Sequence, residues 1–293
     1  MKTVPFSGVA TALVTPFHSS SEINYEVLKE LIESQMQSNI NAILIAGTTG
    51  EACTLSFDEY SRMIAFCSAL TQNKTPLIVG SGSNDTAKAI KLSLEAEKRG
   101  ADALLIVTPY YNKPTQEGLI KHYFSIADRI NIPIILYTVP ARTGVSIEKE
   151  TLRKLSSHPN IVGIKVADKN TDQILEWKNE INDLAIYCGN DNQILSFLAQ
   201  GADGIISVAS NIIPIEILKI YQHFKMQDFS KAITLQKNIT PLLSALFAET
   251  NPIPIKQALE LIGFNVGAPR LPLVPCSDNT KNALRKELVR FGL

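Results

Sequence analysis

The sequence predicts a parallel (β/α)8 TIM barrel followed by a C-terminal helical domain. Three observations carry this: eight short apolar runs rich in β-branched residues, amphipathic helical stretches between them, and a change to helices alone beyond residue 225. The runs are 9–14, 42–46, 77–79, 103–107, 134–137, 161–166, 184–187 and 204–208. Their hydrophobicity is continuous rather than alternating, as a strand needs when helices cover one face and a packed interior the other. Helical stretches lie at 25–38, 57–70, 86–99 and 116–129. Asp85 or Asn84 can cap the third of these, and Gly100 stands where a left-handed residue ends a helix. Eight such units at about 30-residue spacing fit a closed barrel, because right-handed crossovers wind them all one way. A doubly wound open sheet is the alternative.

The eighth helix should follow Pro214, and further helices are expected near 229–249, 252–263 and 277–291. The Pro-rich stretch 268–275 cannot continue a helix and reads as an extended strap. The expected organisation is therefore a catalytic barrel over 1–225 and a helical appendage over 226–293.

Composition narrows the function. Of 293 residues, 45% are hydrophobic and 19% charged, an ordinary globular balance. Lys plus Arg equals Asp plus Glu at 28 each, and no run of like charge marks a nucleic-acid or membrane-surface partner. Cys53, Cys67, Cys188 and Cys276 are scattered, which predicts reduced thiols and a cytoplasmic location rather than a disulfide framework or a zinc site. Lys2 precedes an apolar stretch, but Pro5, Gly8, Thr11, Thr15 and Pro16 interrupt it, so no secretion signal is expected. No apolar run reaches the roughly 18 residues of a membrane span. His18, His122, His158 and His223 are isolated, which favours neither a metal nor a histidine base.

In a barrel the chemistry lies at the carboxyl ends of the strands. The polar residues expected there are Thr15, Thr48, Thr49, Glu51, Ser81, Thr108, Tyr110, Tyr111, Tyr137, Arg142, Lys165, Asn190, Asp191 and Ser207. Lys165 interrupts a run that should be buried on both faces. Burial lowers an amine's pKa and frees it as a nucleophile for carbonyl carbon; the alternative is a structural lysine paired with Glu51 or Asp191. Tyr137 ends the preceding strand, where its phenol serves either proton transfer or packing. Thr48 and Thr49, between Gly47 and Gly50, suit a carboxylate or a capped turn. Arg142 offers a planar fork for a carboxylate, or is a surface arginine. Gly80-Ser81-Gly82-Ser83 lacks the spacing of a phosphate loop and reads as a tight turn, and Trp177 reads as helix packing.

Taken in order, Gly47-Thr48-Thr49-Gly50-Glu51, Thr108-Pro109-Tyr110-Tyr111-Asn112, Leu136-Tyr137-Thr138-Val139-Pro140, Arg142-Thr143-Gly144 and Gly163-Ile164-Lys165 resemble the dihydrodipicolinate synthase family of pyruvate-dependent class I aldolases. Gly189-Asn190-Asp191, Gly204-Ile205-Ile206-Ser207-Val208 and Asn251-Pro252-Ile253-Pro254-Ile255-Lys256 extend the likeness over nearly the whole chain. The resemblance implies condensation of pyruvate with aspartate 4-semialdehyde on the way to lysine, without a cofactor, in a homotetramer. It also implies roles. Lys165 forms the imine, and Tyr137 moves protons through Thr48 and through Tyr111, which in the family crosses a dimer interface. Thr49 binds the pyruvate carboxylate, Arg142 receives that of the aldehyde, and Ile206 and Gly189 line the pocket. Two positions depart from the pattern: the family commonly has Asn at Thr138 and Glu at Val166. Substrate choice is therefore open to a sister lyase such as N-acetylneuraminate lyase, although Arg142 favours the synthase; a non-catalytic binding homologue is the third reading. Lysine-sensitive members place His and Glu in a pocket corresponding to Phe57, Tyr60 and Lys88, so weak or absent lysine inhibition is expected.

Overall fold

The computed structural model describes residues 2–72 and 74–293. In chain order the barrel consists of β1 (Gly8–Ala12), α1 (Tyr25–Gln37), β2 (Ala42–Ile45), α2 (Phe57–Thr71), β3 (Leu77–Gly80), α3 (Thr86–Lys98), β4 (Ala103–Val107) and α4 (Gln116–Ala127). It continues through β5 (Ile134–Thr138), α5 (Pro140–Thr143), α6 (Lys149–Leu155), β6 (Ile161–Val166), α7 (Asp172–Glu180), β7 (Ala185–Cys188), α8 (Ile194–Ala199), β8 (Gly204–Ser207) and α9 (Pro214–Lys225). The strands pair in parallel in chain order and β8 returns to β1, with Gly8 opposite Gly204, so the barrel is closed and the open-sheet alternative is excluded.

Strands β4 and β6 match the expected runs, and the other strand ends differ by at most two residues, because hydrogen bonding rather than hydrophobicity stops a strand. The expected caps are in place. Asp85 accepts from the Ala87 N–H, and Gly100 follows α3 at φ +91°. Ser56 and Glu59 bond reciprocally across the start of α2, a complete capping box.

The alternation of faces along each strand places the chemistry. In β5 and β6, Ile134, Leu136, Ile164 and Val166 join the layer between strands and helices, whereas Ile135 and Tyr137 join the barrel interior with Ala10, Leu44, Tyr187 and Ile206. Lys165 lies between Ile164 and Val166 and so faces the interior. The ring of Tyr187 fills the opposite end of that interior: it stacks on Phe6 at 4.5 Å and donates its hydroxyl to the Phe6 carbonyl.

Beyond α9 the chain forms α10 (Phe229–Leu246), α11 (Ile253–Leu261) and α12 (Asp278–Arg290). Between the last two runs a segment without regular structure, as the prolines require. Its Arg270 grips the barrel, donating to the carbonyls of Thr54 and Ser21 and to the Glu59 carboxylate. No described helix is long and apolar enough to cross a membrane.

The carboxyl ends of β2 and β3 approach so closely that a Cβ on Gly80 would lie 2.0 Å from the Ala46 carbonyl oxygen. Gly80→Ala is therefore expected to cost about 1–3 kcal/mol, because strand ends inside a closed barrel have little room to shift. A urea denaturation midpoint equal to the parent's would contradict this packing.

Candidate active site

Lys165 is 6% exposed and stands beside Tyr137 in the β5–β6 ladder. Its amine lies 4.5 Å from the centroid of the Tyr137 ring. Burial lowers its pKa to about 8, with Asp191 and Cys188 pulling the other way. Among the described residues it forms no ion pair, and neither expected structural partner holds it. Glu51 faces away from the barrel interior and pairs with Lys256 at 2.9 Å. Asp191 spends one carboxylate oxygen on the Val208 and Ala209 N–H groups, fixing the turn after β8, and its other oxygen has no described partner. Neither carboxylate pairs with the amine: Glu51 is taken by Lys256, and Asp191 acts on Lys165 only through its charge.

Room for the amine comes from glycine. A Cβ on Gly189, just after β7, would sit 2.9 Å from the Lys165 Cε, so any side chain there would push the lysine aside. The Gly189 N–H donates to the Val166 carbonyl and holds this close approach.

Tyr137 links the amine to open space. Its ring lines a cavity of about 640 Å³ together with Thr48, Arg142, Val107, Tyr110, Phe57, Tyr60 and Lys88. Lys165 does not itself line this cavity; it lies against the ring. Burial raises the Tyr137 pKa, while Arg142 and the Thr48 hydroxyl beside it lower it. The phenol thus stays protonated at neutral pH, as a proton donor must.

Thr49 is buried, and its hydroxyl oxygen accepts from the Asn251 amide at 2.9 Å. With that lone pair occupied, the hydroxyl hydrogen is free to point at an anion. Arg142 is carried on α5, a single turn begun by Pro140 and ended by Gly144 at φ +72°. It sits at the cavity rim and donates to the Asn251 carbonyl at 3.2 Å. Asn251 therefore joins Thr49 to Arg142. Sequence reasoning counted Asn251 in a motif of the family resemblance but gave it no role.

Ile206 is buried in β8 on the interior face it shares with Tyr137. Tyr111 is not brought to the site. It is 90% exposed, at φ +74°, in the loop between β4 and α4.

The two departures from the family pattern turn out to be neighbours. Thr138 and Val166 are register partners on β5 and β6, both buried, and Val166 belongs to the helix-facing layer. Both side chains point away from Lys165. The exchange of two polar residues for a small, largely apolar pair is thus a change of packing behind the site, and it leaves the Thr138 hydroxyl without a described partner.

A buried ammonium without a counter-ion destabilises the fold, and the sign follows from the pKa. Below about pH 8 the amine is charged in both folded and unfolded chains, so the folded chain bears the full cost. Between about 8 and 10.5 the folded chain sheds its proton first and the cost fades. Lys165→Met should therefore stabilise the protein at pH 7 by on the order of 1–3 kcal/mol, with the gain shrinking toward pH 10. Loss of stability at pH 7 on this substitution would contradict the geometry.

Residues 5–290 match the Dihydrodipicolinate synthetase family. The 4-hydroxy-tetrahydrodipicolinate synthase of Fervidobacterium nodosum is 46% identical over 290 residues, covering 98% of this chain and 99% of that protein. The enzyme of the same name from Caldicellulosiruptor saccharolyticus is 44% identical over 288 residues, 98% of each chain. The crystal structure of dihydrodipicolinate synthase from Thermotoga maritima superposes with a TM-score of 0.96 at 41% identity, over 99% of both chains. With these matches running almost end to end, and with the closed barrel and its C-terminal helices already described, the chain belongs to the dihydrodipicolinate synthetase family.

Proposed function

We propose that this chain is a 4-hydroxy-tetrahydrodipicolinate synthase, a lyase of the class I aldolase type that condenses pyruvate with aspartate 4-semialdehyde through a Schiff base on Lys165. The observation that carries the reading is the interior amine against the Tyr137 ring, with no ion-pair partner among the described residues and with burial lowering its pKa to about 8.

The free amine attacks the pyruvate ketone carbon. The carbinolamine loses its hydroxyl as water after taking a proton, leaving a protonated imine. Loss of a methyl proton gives the enamine, whose carbon bonds to the aldehyde carbon while the aldehyde oxygen takes a proton. The amino group of the second substrate then displaces Lys165 from the imine carbon, closing the ring and restoring the amine. Tyr137 is suited to these proton transfers, relayed through the Thr48 hydroxyl beside it. Tyr111, exposed on its own chain, is assigned by family resemblance to a neighbouring subunit's site, which makes a tetramer built as a dimer of dimers part of the proposal. Thr49 takes the pyruvate carboxylate on its free hydroxyl hydrogen, and Arg142 at the rim takes that of the aldehyde. The Ile206 carbonyl and the Gly189 backbone complete the pocket. Substrates of this size and polarity suit a cytoplasmic enzyme. The barrel over 1–225 carries the chemistry, and the helices over 226–293 pack beside it.

Borohydride should trap pyruvate covalently on Lys165, with the rate rising as pH passes upward through about 8, because only the free amine attacks. A peptide map without an adduct on Lys165, or a rate falling over that range, would refute the proposal. Assays offering aspartate 4-semialdehyde and N-acetylneuraminate separately should show turnover of the first pair only.

Control by lysine should be weak. Phe57, Tyr60 and Lys88 line the same cavity as Lys91 and Arg142, and no carboxylate is among its described lining residues. The Lys91 amine lies over the Phe57 ring at 4.2 Å. A lysine ligand would bring its ammonium toward these cations. Millimolar lysine should leave most of the activity; strong inhibition would contradict this.

A further inference from the structure

The Thr48–Thr49 turn is held in place from outside the barrel. Glu51, the residue that closes it, adopts a left-handed φ of +54° and donates its N–H to the Thr48 carbonyl. A left-handed glutamate persists only where its surroundings impose it. Here both carboxylate oxygens are occupied: Oε1 accepts from the Lys256 amine at 2.9 Å and Oε2 from the Arg270 backbone N–H at 2.8 Å. Lys256 spends its other two protons on the carbonyls of Thr15 at 3.1 Å and Ala268 at 3.2 Å, and lies 4.3 Å over the Phe17 ring. Both partners of the pair are 2% exposed. Thr15 in turn donates to the Gly50 carbonyl at 2.7 Å. The residues that follow Thr49 are thus fixed by Lys256 on α11, by Arg270 on the strap and by Thr15 in the loop after β1.

We propose that the buried Lys256–Glu51 pair is a positioning device for substrate binding, holding the Thr48–Thr49 turn in the geometry that receives the pyruvate carboxylate, so that the C-terminal helices are a working part of the site. The inference rests on the reading of Thr49 as the carboxylate's partner. Lys256 touches no reacting atom in this account and acts through Glu51.

The test uses the full-length enzyme and borohydride trapping of pyruvate, which separates half-saturation from the trapping rate at saturation. Lys256→Met strands a buried carboxylate and can fail to fold. The double variant Glu51→Gln/Lys256→Met therefore runs beside it, removing both charges while keeping most of the volume. Lys256→Arg serves as the conservative control that keeps the charge. In the folded variants lacking the pair, pyruvate half-saturation should rise at least fivefold. The trapping rate at saturation should stay within about twofold of the parent's, and its pH midpoint should not move. Lys256→Arg should recover part of the affinity. Folded variants with a lower melting temperature but the parent's half-saturation would assign the pair to stability alone and overturn the inference. Thr49→Val is measured in parallel. A rise in half-saturation there without one in the pair variants sinks this inference only, whereas no rise in Thr49→Val sinks the reading beneath it.

Discussion

One amine held inside a barrel, with no ion pair among the described residues, is the constraint on which the site depends. A charged lysine in such a place loses more by desolvation than the Asp191 charge returns, so its equilibrium moves toward the free base. The chain contains a built-in comparison. Both amines lie over an aromatic ring, yet the buried Lys256 also meets Glu51 and two carbonyls. One lysine has three hydrogen-bond acceptors, while the other has no ion-pair partner among the described residues. The difference lies in where the carboxylates were placed. Glu51 is turned outward to the C-terminal helices, and Asp191 is tied to backbone N–H groups.

Parity along the strands explains why the deviations from the family pattern do not reach the amine. Tyr137 and Lys165 share the interior face, so their immediate neighbours Thr138 and Val166 share the other. Side chains one position apart on a strand belong to different layers of the molecule. Proximity in sequence to a catalytic residue is therefore poor evidence of a role in specificity when the residue sits in a strand. What remains behind the site is a packing pair with one hydroxyl lacking a described partner.

Most of the fold was legible because its signal is local. Continuous apolar runs mark the strands of a covered barrel, and Lys165 was visible as a polar break in one of them. Gly100 and Asp85 announced helix ends by their own backbone and side-chain chemistry. The pairing of Glu51 was not legible, since its partner lies 205 positions away and no local pattern links the two. Sequence reasoning offered Glu51 to Lys165 because both were expected at strand ends; the left-handed turn at Glu51 sends its carboxylate the other way. Asn251 was missed for the same reason, as its contacts with Thr49 and Arg142 exist only once the C-terminal helices have docked. Tyr111 has a role only by family resemblance, and the structure leaves it exposed in a loop away from Lys165.

The titration of Lys165 itself tests the central claim most directly. In protein labelled at lysine Cε, the resonance that disappears in Lys165→Met can be followed between pH 6 and pH 11. The account predicts a midpoint near 8, well below the ordinary lysine value of 10.5. A midpoint at or above 10 would mean that the amine is hydrated or paired, and would contradict it.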